Sequence, residues 1–347
     1  MGIPSRARAQ VAAPAIGKGQ TLTVSLWGGI TEDSVRRLVQ PEFERQTGAK
    51  MAYDIGSQGA RVNKVLAQRS TPPCDVIFTT DEAVITGYSE GVFTPVRKKN
   101  VPNLASVFDW AFTVKGYDTE DAVAAVPYTV ISSVIAYNPE LVKTPPTSYA
   151  DFWRPELKGK ISLTAPTGSS APAFIINTAE LFGGSMTNPD PAFKKLAELR
   201  PARLTLFWTD WAPLAKTGEV VMSTELDYYV EAMKTQGYPI DYVVPKERSP
   251  ALSEFMSMVK GTKNPELAEA FMNLMLDPKP QEGFAVETYQ GSVNKTVKMT
   301  PAVAARCACG PKVETLRFFD PKFIMSVRPE WVERMNAEVL PNWSVRK

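Results

Sequence analysis

The segment Thr21–Trp27 alternates apolar residues with Thr and Ser, which is the period of a β-strand with one buried face. The glycine pair Gly28-Gly29 follows and predicts a turn. Over Asp33–Thr47 the apolar residues recur every three or four positions, so a helix is expected there, ending at Gly48. The chain therefore opens with a strand, a turn and a helix.

The same order of elements continues along the next segments. Strands are predicted over Lys50–Ile55 and Asp75–Phe78, with a helix over Ala60–Arg69 between them. Strands joined by helices are typical of a mostly parallel sheet with right-handed crossovers. An α/β fold is therefore expected.

A second α/β set begins after Pro127. Its predicted strands are Val130–Tyr137, Lys160–Thr164, Leu204–Trp208 and Glu219–Ser223, and its predicted helix is Pro172–Phe182. This second set returns near Tyr242–Pro245. A strand over Ala251–Val259 and an amphipathic helix over Pro265–Leu276 follow, and a helix over Arg328–Val339 comes last.

The length of 347 residues exceeds what one hydrophobic core usually supports, so we expect two lobes. The predicted first lobe is discontinuous and consists of residues 20–129 and 248–347. Residues 130–247 form the predicted second lobe, with crossings near Pro127 and Pro245. Since the helix near the C-terminus has no sheet of its own, we expect it to pack on the first lobe.

Charge and hydropathy exclude several classes of partner. The chain has 39 Lys and Arg against 37 Asp and Glu, without long runs of one sign, so neither nucleic acid nor an anionic membrane is an expected partner. No stretch reaches the roughly 18 apolar residues that a membrane span needs. A soluble monomer is expected.

The sequence contains no histidine, which removes the commonest general base and the commonest metal ligand. Cys74, Cys307 and Cys309 match neither a zinc spacing nor a disulfide framework, and whether any of them pair stays open. We therefore expect no cofactor and no metal centre of the His type.

The N-terminal residues carry a processing signal. Ser5–Gln10 places small residues three and one positions before Gln10, as at a signal-peptidase cut. We interpret residues 1–19 as the remnant of a signal peptide and a flexible stub. This interpretation favours a periplasmic location.

Several segments, taken in order, resemble the polyamine (spermidine/putrescine) type of periplasmic substrate-binding proteins that serve ABC importers. They are Leu22–Trp27, Cys74–Thr80, Ala125–Tyr128, Ile135–Asn138, Trp153–Ile161, Gly218–Val221 and Asn264–Phe271. The resemblance implies a type II periplasmic-binding-protein fold, in which two lobes close on a ligand in the cleft between them. It also implies an ABC permease in the membrane as the partner.

The resemblance further implies where residues contact the ligand. The matching positions are Trp27, Thr79, Thr80, Tyr128 and the segment Ser223–Asp227. Ligands of open α/β sheets bind beyond the carboxyl ends of strands, which gives these positions an independent physical reason.

The chain departs from the polyamine pattern where acidic residues would hold ammonium groups. Gly168-Ser169-Ser170 stands at the start of the second-lobe helix and offers N–H groups and hydroxyls suited to an anion. We expect Arg203, before an apolar run, to bind a carboxylate and Asp227 to bind an ammonium group. A small zwitterion of the GABA type is the preferred ligand, with a polyamine as the alternative.

Two further alternatives stay open. A ferric-ion receptor is one, since Tyr228-Tyr229 stands where related two-lobed proteins bind iron through tyrosines. An enzyme on the same scaffold is the other. The sequence has no G-x-S-x-G elbow, Walker loop or Rossmann fingerprint, so we expect a binding protein without catalytic residues.

Overall fold

A computed structural model describes residues 16–201, 203–205 and 208–343. The predicted processing signal at Ser5–Gln10 lies outside these residues. Within the described ranges, no helix is both long enough and apolar enough to cross a membrane.

The strands confirm most of the predicted pattern, with shifted ends. They are β1 (Thr21–Leu26), β2 (Lys50–Ile55), β3 (Val76–Thr80), β4 (Phe93–Thr94), β5 (Val96–Arg97), β6 (Ala122–Val123), β7 (Val126–Tyr137), β8 (Ile161–Thr164), β9 (Arg203–Thr205), β10 (Met222–Leu226), β11 (Asp241–Val243), β12 (Ser249–Val259), β13 (Gly291–Ser292) and β14 (Leu316–Phe318). The segment predicted as one strand over Leu204–Trp208 is instead a short strand, and a helix starts at Trp208.

The helices alternate with these strands. They are α1 (Ile30–Leu38), α2 (Gln40–Thr47), α3 (Gln58–Ala67), α4 (Asp81–Ser89), α5 (Ala171–Leu181), α6 (Asp190–Glu198), α7 (Trp208–Thr217), α8 (Asp227–Thr235), α9 (Pro265–Met275), α10 (Pro278–Thr288), α11 (Pro301–Ala304) and α12 (Pro321–Arg334). The single helix predicted over Asp33–Thr47 is two helices. Pro41 is in the first turn of α2, where its missing N–H costs least, so the chain restarts a helix there.

The strands form one hydrogen-bonded path in the order β2-β1-β3-β12-β7-β10-β8-β9. Strand β1 runs parallel to β2 and β3, and β10 runs parallel to β8. We call β1, β2, β3 and β12 with their helices the first lobe, and β8, β9 and β10 with their helices the second lobe.

Strand β7 belongs to both lobes because it changes its partner along its length. Its residues from Val126 to Ser132 pair with β12, whereas Ser133 to Tyr137 pair with β10. The chain therefore crosses between the lobes inside a continuous strand, and the bonded path extends through both halves.

Each lobe has apolar cores of its own. In the first lobe, the largest contains Leu26 and Phe78 from the sheet with Phe43 and Phe271 from α2 and α9. In the second lobe, a comparable core surrounds Phe174 of α5 and Phe193 of α6.

The C-terminal segment packs on both lobes. Ile324 and Trp331 of α12 lie in the same apolar cluster as Phe174 and Phe193, so their side chains are buried against the second lobe. Met325 packs against the apolar cluster of α4 in the first lobe. The expected first-lobe packing of this segment therefore describes only part of its contacts, and the boundaries of the lobes stay a prediction.

Candidate functional site

A cavity of about 70 Å³ lies where the two lobes and α12 meet. Asp81 and Glu82 line it from the start of α4, and Ser169 and Ser170 line it from the segment before α5. Leu226, the last residue of β10, lies between them. The cavity is thus formed at the junction where a ligand of a two-lobed protein is expected.

The local sequence explains why polar groups collect here. Strand β3 passes directly into α4 at Asp81, and β10 passes directly into α8 at Asp227. Carboxyl ends of strands and amino ends of helices therefore face the same space, which is the usual ligand position in open α/β sheets. Helix amino ends also present unpaired N–H groups.

The floor of the cavity comes from the two long strands. Ile131 of β7 and Leu252 of β12 lie opposite each other and both line the cavity. Side chains two residues apart on a strand point to the same face, so Glu254 points to the side of Leu252. The ladder stays regular between these two residues, because its irregularity falls after Glu254.

Glu254 is a buried carboxylate that is only half satisfied by the protein. Its Oε2 accepts a 2.8 Å hydrogen bond from the phenol of Tyr128 and a longer one, 3.5 Å, from the amide of Gln290. Its Oε1 has no hydrogen-bond donor among the residues that the structure describes. Burial raises the pKa of Glu254 to about 7. The free oxygen is suited to a donor from outside the protein.

Two tyrosines and a second carboxylate lie near Glu254. The ring centroids of Tyr228 and Tyr229 are 4.0 Å apart. Burial is the main cause of the raised pKa of both phenols, and the negative charge of Glu254 raises it further. The negative charge of Glu225 also raises the pKa of Tyr229. Burial raises the pKa of Glu225 to about 8. Aromatic faces beside carboxylates favour a cation.

Asp81 is a further buried acid, and it lines the cavity itself. One oxygen accepts the backbone N–H of Glu82 at 2.8 Å, and the other accepts the hydroxyl of Thr113 at 3.5 Å. Burial raises the pKa of Asp81 to about 7. Burial thus disfavours the ionised form of three acids of the lobe junction, Asp81, Glu225 and Glu254, and a cationic group would stabilise that form.

Of the residues predicted to bind ligand, Ser169 and Ser170 line the cavity. Ser169 is exposed, and the hydroxyl of Ser170 lies 2.8 Å from that of Thr164. Both precede α5, as the sequence predicts.

Trp27 is placed at the end of β1 and is half-buried. Its ring centroid lies 4.7 Å from the guanidinium carbon of Arg61, a residue that the sequence does not single out. Arg61 is buried and donates to the carbonyl oxygens of Ser25, Gly56 and Phe78 at 3.0, 2.9 and 2.8 Å, and burial lowers its pKa to about 10. Arg61 thus links β1, β3 and the residue after β2 beside the ring of Trp27. A contact of Trp27 with a ligand stays a prediction.

Thr79 and Tyr128 are buried in the core of the first lobe, and their predicted contact with a ligand stays a prediction. Thr79 is fully buried, with its hydroxyl 3.3 Å from that of Ser257. Tyr128 is 1% exposed and packs on Phe78, with ring centroids 4.6 Å apart. Thr79 lies on β3 and Tyr128 on β7, and both strands are buried along almost all of their length. Both side chains therefore lie inside the first lobe.

Thr80 is held by Gln58 at the start of α3. The amide of Gln58 donates to the Thr80 hydroxyl at 3.2 Å, and its carbonyl oxygen accepts the Thr80 N–H at 2.8 Å. Thr80 immediately precedes Asp81, so it lies at the edge of the cavity without lining it.

Arg203 does not come to the cavity. It is the first residue of β9, and its guanidinium forms an ion pair of 2.5 Å with Glu219. Since β9 runs parallel to β8, its carboxyl end at Thr205, and not Arg203, lies toward the side of the lobe junction. The predicted pairing of Arg203 with a ligand carboxylate therefore has no support in the geometry.

Asp227 lies near the junction but is satisfied by the protein. Its carboxylate accepts the N–H and the hydroxyl of Ser132 at 3.2 and 2.8 Å, and the N–H of Tyr228 at 2.9 Å. Burial raises its pKa to about 6. Asp227 thus links the start of α8 to β7 at the point where β7 changes its partner. Both of its carboxylate oxygens already accept hydrogen bonds from the protein, and its contact with an ammonium group stays a prediction.

Sequence reasoning missed Glu254 and Asp81 as the leading carboxylates. A signal for Glu254 exists, because it is an isolated acid within the otherwise uncharged interior of the β12 strand. Asp81 gave only the weak signal of an acid after a buried strand.

No group of three or more Cys, Asp or Glu side chains that might hold a metal ion occurs in residues 16–201, 203–205 and 208–343. The raised pKa values of Tyr228 and Tyr229 oppose the phenolate form that ferric iron needs. Cys307 and Cys309 form a disulfide, and Cys74 is a buried free thiol.

Known proteins resemble this chain over most of its length. A family model described as bacterial extracellular solute-binding protein matches residues 41–309. A gamma-aminobutyric acid-binding protein of Pseudomonas aeruginosa is 27% identical, over 96% of this chain and 94% of that protein. A spermidine/putrescine-binding periplasmic protein of Escherichia coli is 24% identical, over 85% and 83%.

Solved structures agree with the sequence matches. The crystal structure of an ABC transporter protein from Clostridium perfringens has a TM-score of 0.77 at 25% identity, covering 92% of this chain and 99% of that one. The predicted two-lobed α/β fold and the predicted class, a solute-binding receptor, are both confirmed by these similarities.

Proposed function

The chain belongs to the family of bacterial extracellular solute-binding proteins, and we propose that it is a periplasmic receptor that closes on a small aliphatic amine and delivers it to an ABC importer. A periplasmic location is supported by relatives such as the spermidine/putrescine-binding periplasmic protein of Escherichia coli. Closure is supported by the cavity, whose walls come from both lobes.

One observation carries the proposed ligand class: the free oxygen of Glu254 in a buried position. A buried carboxylate with an unmet acceptor is costly unless a donor reaches it, and a charged donor offsets the cost best. An ammonium group supplies both charge and donors. The adjacent rings of Tyr228 and Tyr229, tilted by 38° to each other, add an aromatic surface for the attached methylene groups.

One wall of the cavity suits an anionic group. Ser169 and Ser170 present hydroxyls at the amino end of α5, where the helix dipole favours negative charge. A ligand with an ammonium group at one end and a carboxylate at the other fits this polarity. An ω-amino acid of the GABA type is therefore our first candidate, in line with the GABA-binding relative.

A linear diamine such as putrescine is the second candidate. Asp81 favours it, because this buried carboxylate lines the cavity and could take a second ammonium group. The spermidine/putrescine-binding relative is consistent with such a ligand.

Calorimetric titration with GABA, putrescine, butylamine and butyrate tests the proposal. We expect GABA or putrescine to bind, butylamine to bind more weakly, and butyrate to fail because it lacks the amine. Glu254→Gln should weaken amine binding about tenfold to a hundredfold, as for loss of a charged hydrogen bond.

Glu338→Gln is a matched control, since Glu338 pairs with Arg334 on the surface of the C-terminal segment. It should bind like the unaltered protein. If Glu254→Gln bound every amine with the same affinity as the native protein, or if butyrate bound tightly, the proposed amine site would be contradicted. Recovery of the ligand unchanged after incubation is expected of a receptor, and its conversion would favour the enzyme alternative.

A further inference from the structure

Arg328 of α12 joins the two lobes at the edge of the cavity. Its Nη2 donates to the carboxylate of Glu82 at the start of α4. Its Nη1 donates to the carbonyl oxygen of Gly168, just before α5, at 3.1 Å. Glu82 and Ser169, the neighbour of Gly168, both line the cavity. One guanidinium therefore contacts groups that adjoin both walls.

We infer that Arg328 is a positioning residue that sets the ligand specificity, because its charge favours ligands with an anionic end over diamines. This inference rests on the proposed function. Arg328 acts through Glu82 and through the amino end of α5, and it need not touch the ligand.

The charges around the cavity give the physical reason. Asp81 and Glu82 are adjacent acids, and without Arg328 they would present two carboxylates to a ligand. Burial raises the pKa of Glu82, and the positive charge and hydrogen bond of Arg328 oppose that rise. Arg328 thus favours the ionised form of Glu82 and offsets its charge, so that the cavity has less attraction for a second ammonium group.

The same guanidinium strengthens the anionic wall. Its bond to Gly168 places a full positive charge beside the amino end of α5, where the helix already favours an anion. Removing Arg328 would weaken the site for a carboxylate and strengthen it for a second amine. Both effects change the ratio of affinities in the same direction.

The fold does not depend on this side chain alone. Trp331 and Met335 bury the same C-terminal segment in the core of the second lobe, so α12 should stay in place when Arg328 is replaced. A change in specificity can therefore be separated from unfolding by checking the melting temperature of each variant.

The test is calorimetric titration of the whole chain and of Arg328→Gln with GABA and with putrescine. We expect the ratio of the GABA affinity to the putrescine affinity to fall about tenfold or more, as expected for a full charge within several ångströms in a partly buried site. Arg328→Lys should restore part of the ratio. Adding Glu82→Gln to Arg328→Gln removes the unpaired acid and should also move the ratio back.

Arg317→Gln is the matched control. Arg317 also ties the C-terminal segment to α5, through Glu180 and Asn177, but none of these residues lines the cavity. An unchanged ratio in Arg328→Gln, or an equal change in Arg317→Gln, overturns the inference. A native protein that prefers putrescine overturns it too, whereas a native protein that binds neither solute overturns the proposed function first and the inference with it.

Discussion

The phenol of Tyr128 donates a 2.8 Å hydrogen bond to the carboxylate of Glu254, across 126 residues of sequence. Tyr128 is a core residue, yet it fixes the acid that we place at the ammonium site. The ionised form of a carboxylate is stabilised by such a donor. We therefore expect Tyr128 to act on a ligand through Glu254.

Tyr128→Phe should weaken amine binding at pH 7 by roughly tenfold, because loss of the hydrogen bond disfavours the charged form of Glu254. At pH 9 Glu254 is ionised in either protein, so most of the difference should disappear. Calorimetric titration with GABA at both pH values measures this. A loss of equal size at pH 7 and pH 9 would mean that Tyr128 acts by packing alone.

Acidification should stabilise the unliganded protein through Glu254. Its pKa is about 7 when folded, above the ordinary value of about 4.3 for an unfolded chain. The folded state therefore binds more protons between these values, so the free energy of unfolding falls as pH rises through this window, by up to about 1.4 kcal/mol per pH unit.

Urea unfolding between pH 4.5 and pH 8 checks that sign. Because other acids have lowered pKa values and act in the opposite direction, the comparison is the difference between the native protein and Glu254→Gln. The variant should gain stability relative to the native protein as pH rises. A difference that does not vary with pH would contradict the raised pKa of Glu254.

Arg61→Met should lower the free energy of unfolding by about 3 kcal/mol. The substitution removes a buried guanidinium that bonds three carbonyl oxygens and leaves those oxygens unpaired. Arg36→Met is a control, since the exposed Arg36 pairs with Glu32 within one helix and should cost about 0.5 kcal/mol or less. Equal costs in urea unfolding would show that Arg61 does not hold the strand ends together.

Arg203→Ala should leave the affinity for GABA and putrescine within about twofold of the native value. If Arg203 bound a ligand carboxylate, its loss would cost roughly 2 to 5 kcal/mol of binding free energy, as for one half of a buried charged pair. The structure places Arg203 against Glu219, at the end of β9 that is remote from the cavity, and so predicts no such loss. A large loss on calorimetric titration would return Arg203 to the binding site.

Much of the fold was predictable because its signals are local. Strand β2 begins and ends at the predicted residues, and α9 begins at the predicted Pro265. Helical and strand periods, glycine stops and proline starts act over a few residues, so they can be read from sequence. The packing of α12 was not predictable in this way, because an apolar stripe does not say which lobe it covers.

The site shows the same division. Ser169 and Ser170 precede a helix in sequence, so their place at a helix amino end followed from local pattern. Arg203 and Asp227 also stand at element ends, but their partners, Glu219 and Ser132, were decided by strand register and by the crossing of β7.

The sequence by itself determined the α/β alternation, the presence of two cores, the absence of histidine chemistry and the ordered segments of the family. Only the tertiary structure decided that Glu254 has a free oxygen, that Asp81 lines the cavity and that Arg328 bridges Glu82 and Gly168. The physical reason is distance along the chain. Periodicity and capping act between near neighbours, whereas Tyr128 and Glu254, or Glu82 and Arg328, are more than 100 positions apart and meet only in the folded chain.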